Sequence, residues 1–309
     1  MKTYQNLKGT LILCVGALVW GFAFVAQATA ELPPFLLSAS RTLIGALALL
    51  LVLLLRRVLT KKPMFPPTGQ RKRWLIVGLL CGVVLTVSIN LQQLGISGYP
   101  EGVAVETRSG FLSSLYVVIV PLLAALLGER PSPVAVGAVA VAMVGIYLLC
   151  LSGGLHGIYL GDVWVLACAF SFSIHILLIA RMGGGIDGIL LSATQFAVCA
   201  VLSLIVSLFT EEFSVAALIN ATPQLMYLGF LSCGVGYTMQ IIGQRYASPT
   251  VASLTLSLEG VFAALGGWLI SDNRLSPREW LGCALVFSAI VLAQLPPLPK
   301  RRKSDQTNV

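Results

Sequence analysis

"LLSASRTLIGALALLLVLL" (Leu36–Leu54) and "LLSATQFAVCAVLSLIVSL" (Leu190–Leu208) decide how this chain is built. Eight of the 19 aligned positions are identical, so the second stretch is a copy of the first. Each is almost wholly apolar and leucine-rich. Each also falls in the range of roughly 17–25 residues that carries an α-helix across a bilayer. Yet position 41 holds an arginine, and its repeat-equivalent is Gln195. A permanent charge inside such a segment needs a partner, a cavity or a route to water.

The rest of the chain follows the same pattern. It is 57% hydrophobic and 10% charged, against roughly 25% charged residues in an ordinary soluble domain. Apolar runs recur at about 9–29, 35–55, 74–94, 103–126, 133–151, 160–180, 189–209, 223–243, 250–270 and 277–295. They are unbroken rather than alternating, which excludes an outer-membrane barrel. Backbone groups in lipid must be satisfied within the segment, so the runs predict an all-α integral membrane protein with ten transmembrane helices.

Charge sets the orientation. With the N-terminus in the cytoplasm, 16 of the 20 lysines and arginines fall on that side and only Arg274 and Arg278 on the other; Arg41 and Arg108 lie within helices. Such a bias predicts both termini inside, in a bacterial cytoplasmic membrane. The net charge of +8 is mostly this topology signal. A nucleic-acid surface would also be basic, but these charges hug helix ends. A rival reading takes "AQATAELPP" (Ala26–Pro34) as the end of a cleaved leader. The first run argues against it: it is about 20 residues long, contains Trp20 and Gln27, and has a partner in "VLACAFSFSIHILLIAR" (Val165–Arg181). The seven cysteines are scattered, with no pairing or metal-like spacing, and read as small packing residues.

The repeat extends beyond the opening stretch. "INLQQLGISGYPEGVA" (Ile89–Ala104) aligns with "YTMQIIGQRYASPTVA" (Tyr237–Ala252), placing Gln92 on Gln240 and Gly95 on Gly243. The chain thus reads as two five-helix copies, 1–151 and 158–296, followed by a basic cytoplasmic tail, 297–309. Five is odd, so the second copy enters the membrane inverted, and inverted repeats are a transporter signature. Trp20–Gly21, "SGFLSSLYVVIVPLLAALLGERPS" (Ser109–Ser132) and "LSPREWLGCALV" (Leu275–Val286) resemble the drug/metabolite transporter superfamily, specifically its EamA-type ten-helix members. The second half departs from that pattern: Asn273 stands where the "GER" glutamate would be, and Gly260 where a proline is usual. The resemblance implies a carrier of small metabolites, amino acids or drugs, in efflux or uptake, and does not fix the substrate.

The candidate site residues are the polar groups on small-residue stripes, because interior faces of membrane helices are small and lipid faces bulky. Ser38, Arg41, Gly45 and Ala48 form one stripe, pointing Arg41 inward; the alternative is a snorkelling arginine. Glu106, at similar depth, is the expected counter-charge. Ala252, Thr255, Glu259, Ala263 and Gly266 share another face, with Glu259 near mid-membrane, where a carboxylate must be paired, hydrated or protonated. His175 lies on a stripe with Cys168 and Ser171, as a titratable or a packing residue. Gln92 and Gln240 are amides suited to holding a polar substrate from two sides, or to tying helices together. Trp20, Tyr116 and Tyr237 offer stacking surfaces, and Trp74 and Trp280 look like interfacial anchors.

These features predict a secondary transporter working by alternating access, driven by a proton gradient or by exchange, with a small-molecule substrate and the bilayer as partners. No cofactor or metal is expected, and a homodimer stays open. The competing class is an intramembrane enzyme, but the chain has no G-x-S-x-G elbow, no H-E-x-x-H pair and only two histidines. It also has no G-x-x-x-x-G-K-[ST] loop for hydrolysing ATP.

Overall fold

The computed structural model describes residues 2–61, 63–128, 133–150, 159–271 and 276–293. The "GER" residues Glu129 and Arg130, Asn273, His156 and the tail 297–309 lie outside these. All regular structure among the described residues is helical. In the first half α1 (Lys2–Ala28), α2 (Pro34–Thr60), α3 (Thr68–Ser97), α4 (Val105–Ser113), α5 (Tyr116–Leu126) and α6 (Pro133–Cys150) follow one another. In the second half α7 (Leu160–Met182) and α8 (Gly188–Thr210) lead to the short α9 (Val215–Asn220) and α10 (Thr222–Met226). A π-helical stretch, Tyr227–Gly236, then runs into α11 (Tyr237–Gly243), followed by α12 (Pro249–Leu256), α13 (Leu258–Ile270) and α14 (Pro277–Ala293). Among the described residues eight segments are long and apolar enough to cross a membrane, and shorter apolar helices at Val136–Gly145 and Trp280–Ala289 sit at the two remaining expected spans.

Exchanging the two halves reproduces the packing. α2 lies against α8, and α6 against α14. α3 packs on α7 and α8, just as the π-helical stretch packs on α1 and α2. Close approach is built from missing side chains: a Cβ on Gly78 or Gly82 of α3 would come within 2.6 Å of Thr194 or Val198 of α8.

Local sequence explains the helix ends. Asp187 caps α8 by accepting from the Ile189 and Leu190 amides at 3.0 and 3.1 Å. Pro34 opens α2, where a missing N–H costs nothing, and the next amides, of Phe35 and Leu36, donate to the Glu211 carboxylate from the other half, each at 2.8 Å. At the opposite end of the same helix pair Arg56 meets Asp187 at 2.6 Å. α2 and α8 are therefore clamped to one another at both ends.

Two of the membrane-length segments are interrupted halfway. α4 gives way to α5 at Ser114–Leu115, and α12 to α13 at Ser257. The interruptions touch: the Ser114 hydroxyl donates to Gly110 O at 2.7 Å and to Ser257 O at 3.3 Å. Gly260 permits this, since a Cβ there would stand 2.9 Å from Ser114 Oγ and 3.2 Å from Gly110 O. Broken helices meeting at mid-depth are how membrane carriers expose backbone polarity to a cavity.

The central pocket as candidate substrate site

Beside the two breaks lies a narrow pocket walled by both halves. α1 supplies Trp20, Phe24 and Gln27; α3 supplies Gln92 and α5 Tyr116. From the second half come Phe172, Ser232, Tyr237, Gln240 and Glu259. The stripe predicted for Glu259 is buried along its whole length, from Ala252 to Gly266.

The polar groups are only partly used by the protein. Gln92 Nε2 donates to Ser113 Oγ at 3.2 Å. Gln240 is buried with its Oε1 unpartnered. Glu259 is 4% exposed, with Tyr116 and Ser113 facing its carboxyl. The Tyr116 hydroxyl reaches hydrogen-bond geometry with no group among the described residues. Among the described residues Glu259 takes part in no ion pair. Trp20 is fixed by its Nε1 donating to Ser232 O at 3.2 Å and by the Tyr237 ring at 4.5 Å between centroids. Ser232 lies within the π-helical stretch Tyr227–Gly236, a conformation that recurs at functional sites. The result is an aromatic wall with amides and one carboxyl group, suited to a small molecule with both apolar and hydrogen-bonding parts.

Arg41 does not line the pocket but stands behind it. It is 3% exposed, and its Nη1 donates to Gln27 Oε1 at 2.8 Å. Its Nε and Nη2 have no partner among the described residues. The guanidinium is thus interior rather than snorkelling. Glu106 is not its counter-charge: that carboxylate accepts from the Ser271 hydroxyl at 2.8 Å, tying α4 to the end of α13. Depth matched the two residues, but they face different neighbours. In the second half the repeat-equivalent Gln195 likewise reaches the preceding helix, with its Oε1 3.0 Å from His175 Nε2. His175 is fully buried, leaves Nδ1 unpartnered and presents its ring edge-on to Tyr237 at 6.2 Å. His175 is therefore held behind the pocket wall, like Arg41.

Sequence reasoning missed Gln27, Phe24, Phe172 and Ser232 as lining residues. Gln27 had a signal, since it follows Trp20 by seven residues on the same helix face. It also missed the ion pair that closes the bundle near Tyr99. Arg108 of α4 grips Asp162 of α7 bidentately, Nε–Oδ1 and Nη2–Oδ2 both at 2.7 Å. The Tyr99 hydroxyl donates to Asp162 Oδ1 at 2.9 Å, and the Tyr159 amide to Oδ2 at 2.8 Å. Arg108 also lies over the Tyr159 ring at 4.8 Å. Burial, reinforced by the Asp162 carboxylate, pushes the Tyr99 phenol up, so it stays a donor.

A helical membrane bundle with a central pocket shared between two similar halves defines a class, that of membrane transport proteins. The chain belongs to the EamA-like transporter family, whose profile matches residues 7–151 and again 159–295. An uncharacterized transporter of Archaeoglobus fulgidus is 28% identical over 94% of this chain and 87% of its own. The uncharacterized inner membrane transporter YedA of Escherichia coli K12 is 25% identical over 90% and 88%. A crystal structure of a protein 21% identical in sequence superposes with a TM-score of 0.72, covering 93% of this chain and 96% of that one, and shares the fold.

Proposed function

We propose that this protein is a secondary transporter that moves a small metabolite or drug-like molecule by alternating access. Its two halves are inverted copies, with both termini in the cytoplasm of a bacterial cell. The observation that carries this reading is the central pocket at the junction of the halves, into which the repeat-equivalent amides of Gln92 and Gln240 both project. Arg108 and Asp162, one from each half, then form the gate on the external side, closed in this structure. The basic end, where Lys8, Arg56, Arg73, Arg181 and Arg245 gather, faces the cytoplasm.

The test begins with a thermal-shift screen against metabolites, because a ligand that binds the folded state raises apparent stability. Counterflow of the ligand so found, in proteoliposomes without ATP, is expected; binding without counterflow would overturn the reading. The gate makes a separate prediction. Hydrogen bonds to charged groups contribute about 1.5–3 kcal/mol, so Arg108→Ala should open the external side by roughly ten- to a hundredfold. A single cysteine at Ser232, in a cysteine-free background, should then react correspondingly faster with an impermeant maleimide added outside. Unchanged labelling would exclude Arg108 as a gate. Topology is checked independently. A cysteine at Ser214 should be modified from outside and one at Ser304 should not, and the reverse pattern would sink the proposed orientation.

A further inference from the structure

The basic end carries a second cavity that shares no lining residue with the central pocket. It has about 690 Å³ of empty volume between the α2–α3 linker and the α7–α8 turn, and its walls include Arg56, Gln70, Arg73, Phe65, Trp74 and Asp187. It opens into an apolar groove of about 870 Å³ on the flank of the bundle, and the two share Met64, Phe65, Trp74 and Leu190. The groove runs between Leu43, Leu47 and Leu50 of α2 and Ala193, Ala197 and Val201 of α8. The alanines make the depression, and the exposed leucines form its rim.

We propose that this continuous site holds one anionic phospholipid from the leaflet at the basic end. Charge supports the headgroup. Asp187 is consumed by Arg56 and by the α8 amides it caps. Arg73 bonds only backbone carbonyls, those of Met182 and Gly184, and among the described residues it has no carboxylate partner. The three charged lining residues therefore sum to +1. Basic pockets between helices on the cytoplasmic side are suited to anionic headgroups. Length supports the tail. From Leu43 to Leu53 α2 rises about 15 Å, half of the roughly 30 Å hydrocarbon core and so the depth of one leaflet. Trp74 stands at the junction of the two parts, its Nε1 donating to Thr194 Oγ1 at 3.0 Å and its ring 5.5 Å from Phe65. That is the depth at which tryptophan marks the boundary between headgroups and tails. A soluble anion would leave the groove unused, and an apolar partner would leave Arg73 uncompensated.

Native mass spectrometry of the full-length protein tests this, using equimolar phosphatidylglycerol and phosphatidylcholine with identical tails. The expected result is one retained phosphatidylglycerol, preferred by roughly fivefold, the equivalent of about 1 kcal/mol for the net single positive charge. Arg56→Gln with Arg73→Gln should bring the preference close to one. Arg57→Gln with Lys72→Gln, exposed at the same end but not lining the cavity, should leave it intact. Ala197→Phe, which fills the groove without touching the charges, should lower retention of both lipids. A preference that survives the first double variant, or disappears in the second, overturns the site. So does unchanged retention in Ala197→Phe. Displacement by excess inorganic phosphate or glycerophosphoglycerol would reassign the pocket to a soluble phosphate. A lipid-free dimer that Ala197→Phe dissociates would reassign the groove to a second copy.

Discussion

Arg41→Met is expected to abolish transport while leaving the protein folded and as stable as the wild type, or more so. The guanidinium is buried with one hydrogen bond, to Gln27, and two nitrogens without partners. Burying a charge costs several kcal/mol, and apolar replacements of similar size are often neutral or stabilising. Methionine keeps the stem and removes the charge, leaving only Gln27 Oε1 unpaired at about 1–3 kcal/mol. A buried guanidinium with so few partners in this state is placed to find others in another state of the proposed cycle. Gln27 lines the pocket, so a bound acceptor group that displaces it gains access to the freed Arg41 donors. Losing a buried charged contact of about 3 kcal/mol lowers transport by roughly a hundredfold. Arg41→Lys should retain part of the activity, because the charge survives and the planar fork does not. Melting temperature and counterflow are measured together. Wild-type flux in Arg41→Met would show that the arginine takes no part, and flux lost only in step with stability would make it structural.

The sequence shows the helices plainly and the site only in part, for different physical reasons. A bilayer demands some 20 apolar residues per crossing, and that demand is written directly in composition. Hydropathy does not register backbone discontinuity. The breaks at Ser114 and Ser257 and the π-helical widening at Tyr227–Gly236 lie within unbroken apolar runs. Gln92 and Gln240 were legible because the repeat marks them as a pair. Phe24 and Phe172 were not, since an aromatic in an apolar run reads the same toward lipid as toward a cavity. Glu106 illustrates the limit of depth as a guide. It shares the level of Arg41 but faces Ser271, and only knowledge of which helices are neighbours reveals that. Arg108 and Asp162 come together from separate halves through the fold alone.

Glu259→Gln should remove the response to a pH gradient while substrate exchange persists. The carboxyl lies in the central pocket among Trp20, Phe24, Phe172 and Leu256. It is in no ion pair among the described residues. Arg41, the other buried charge nearby, is held by Gln27 behind the wall. A buried carboxylate without a cationic partner is costly even with Tyr116 and Ser113 facing it, and taking up a proton relieves that cost. In the proposed cycle, opening of the pocket to either side would let water or substrate reach the group and the proton leave. A carrier that crosses empty only when this group is protonated, and crosses loaded only when substrate has displaced the proton, exchanges one proton for one substrate and so couples the two. One proton per cycle is equivalent to 1.36 kcal/mol for each unit of pH difference, about tenfold accumulation. Glutamine keeps the shape and the hydrogen bonds of the protonated form but cannot release a proton, so accumulation should fall to near unity. Counterflow, which needs only the return of loaded carriers, should continue. Proteoliposomes with an imposed gradient measure the first quantity, and the same preparation without a gradient the second. If the glutamine variant still accumulates substrate tenfold per pH unit, Glu259 is a structural group. His175, held behind the pocket wall, is then next in line, and His175→Gln, which retains a side chain able to pair with Gln195, is the variant that tests it.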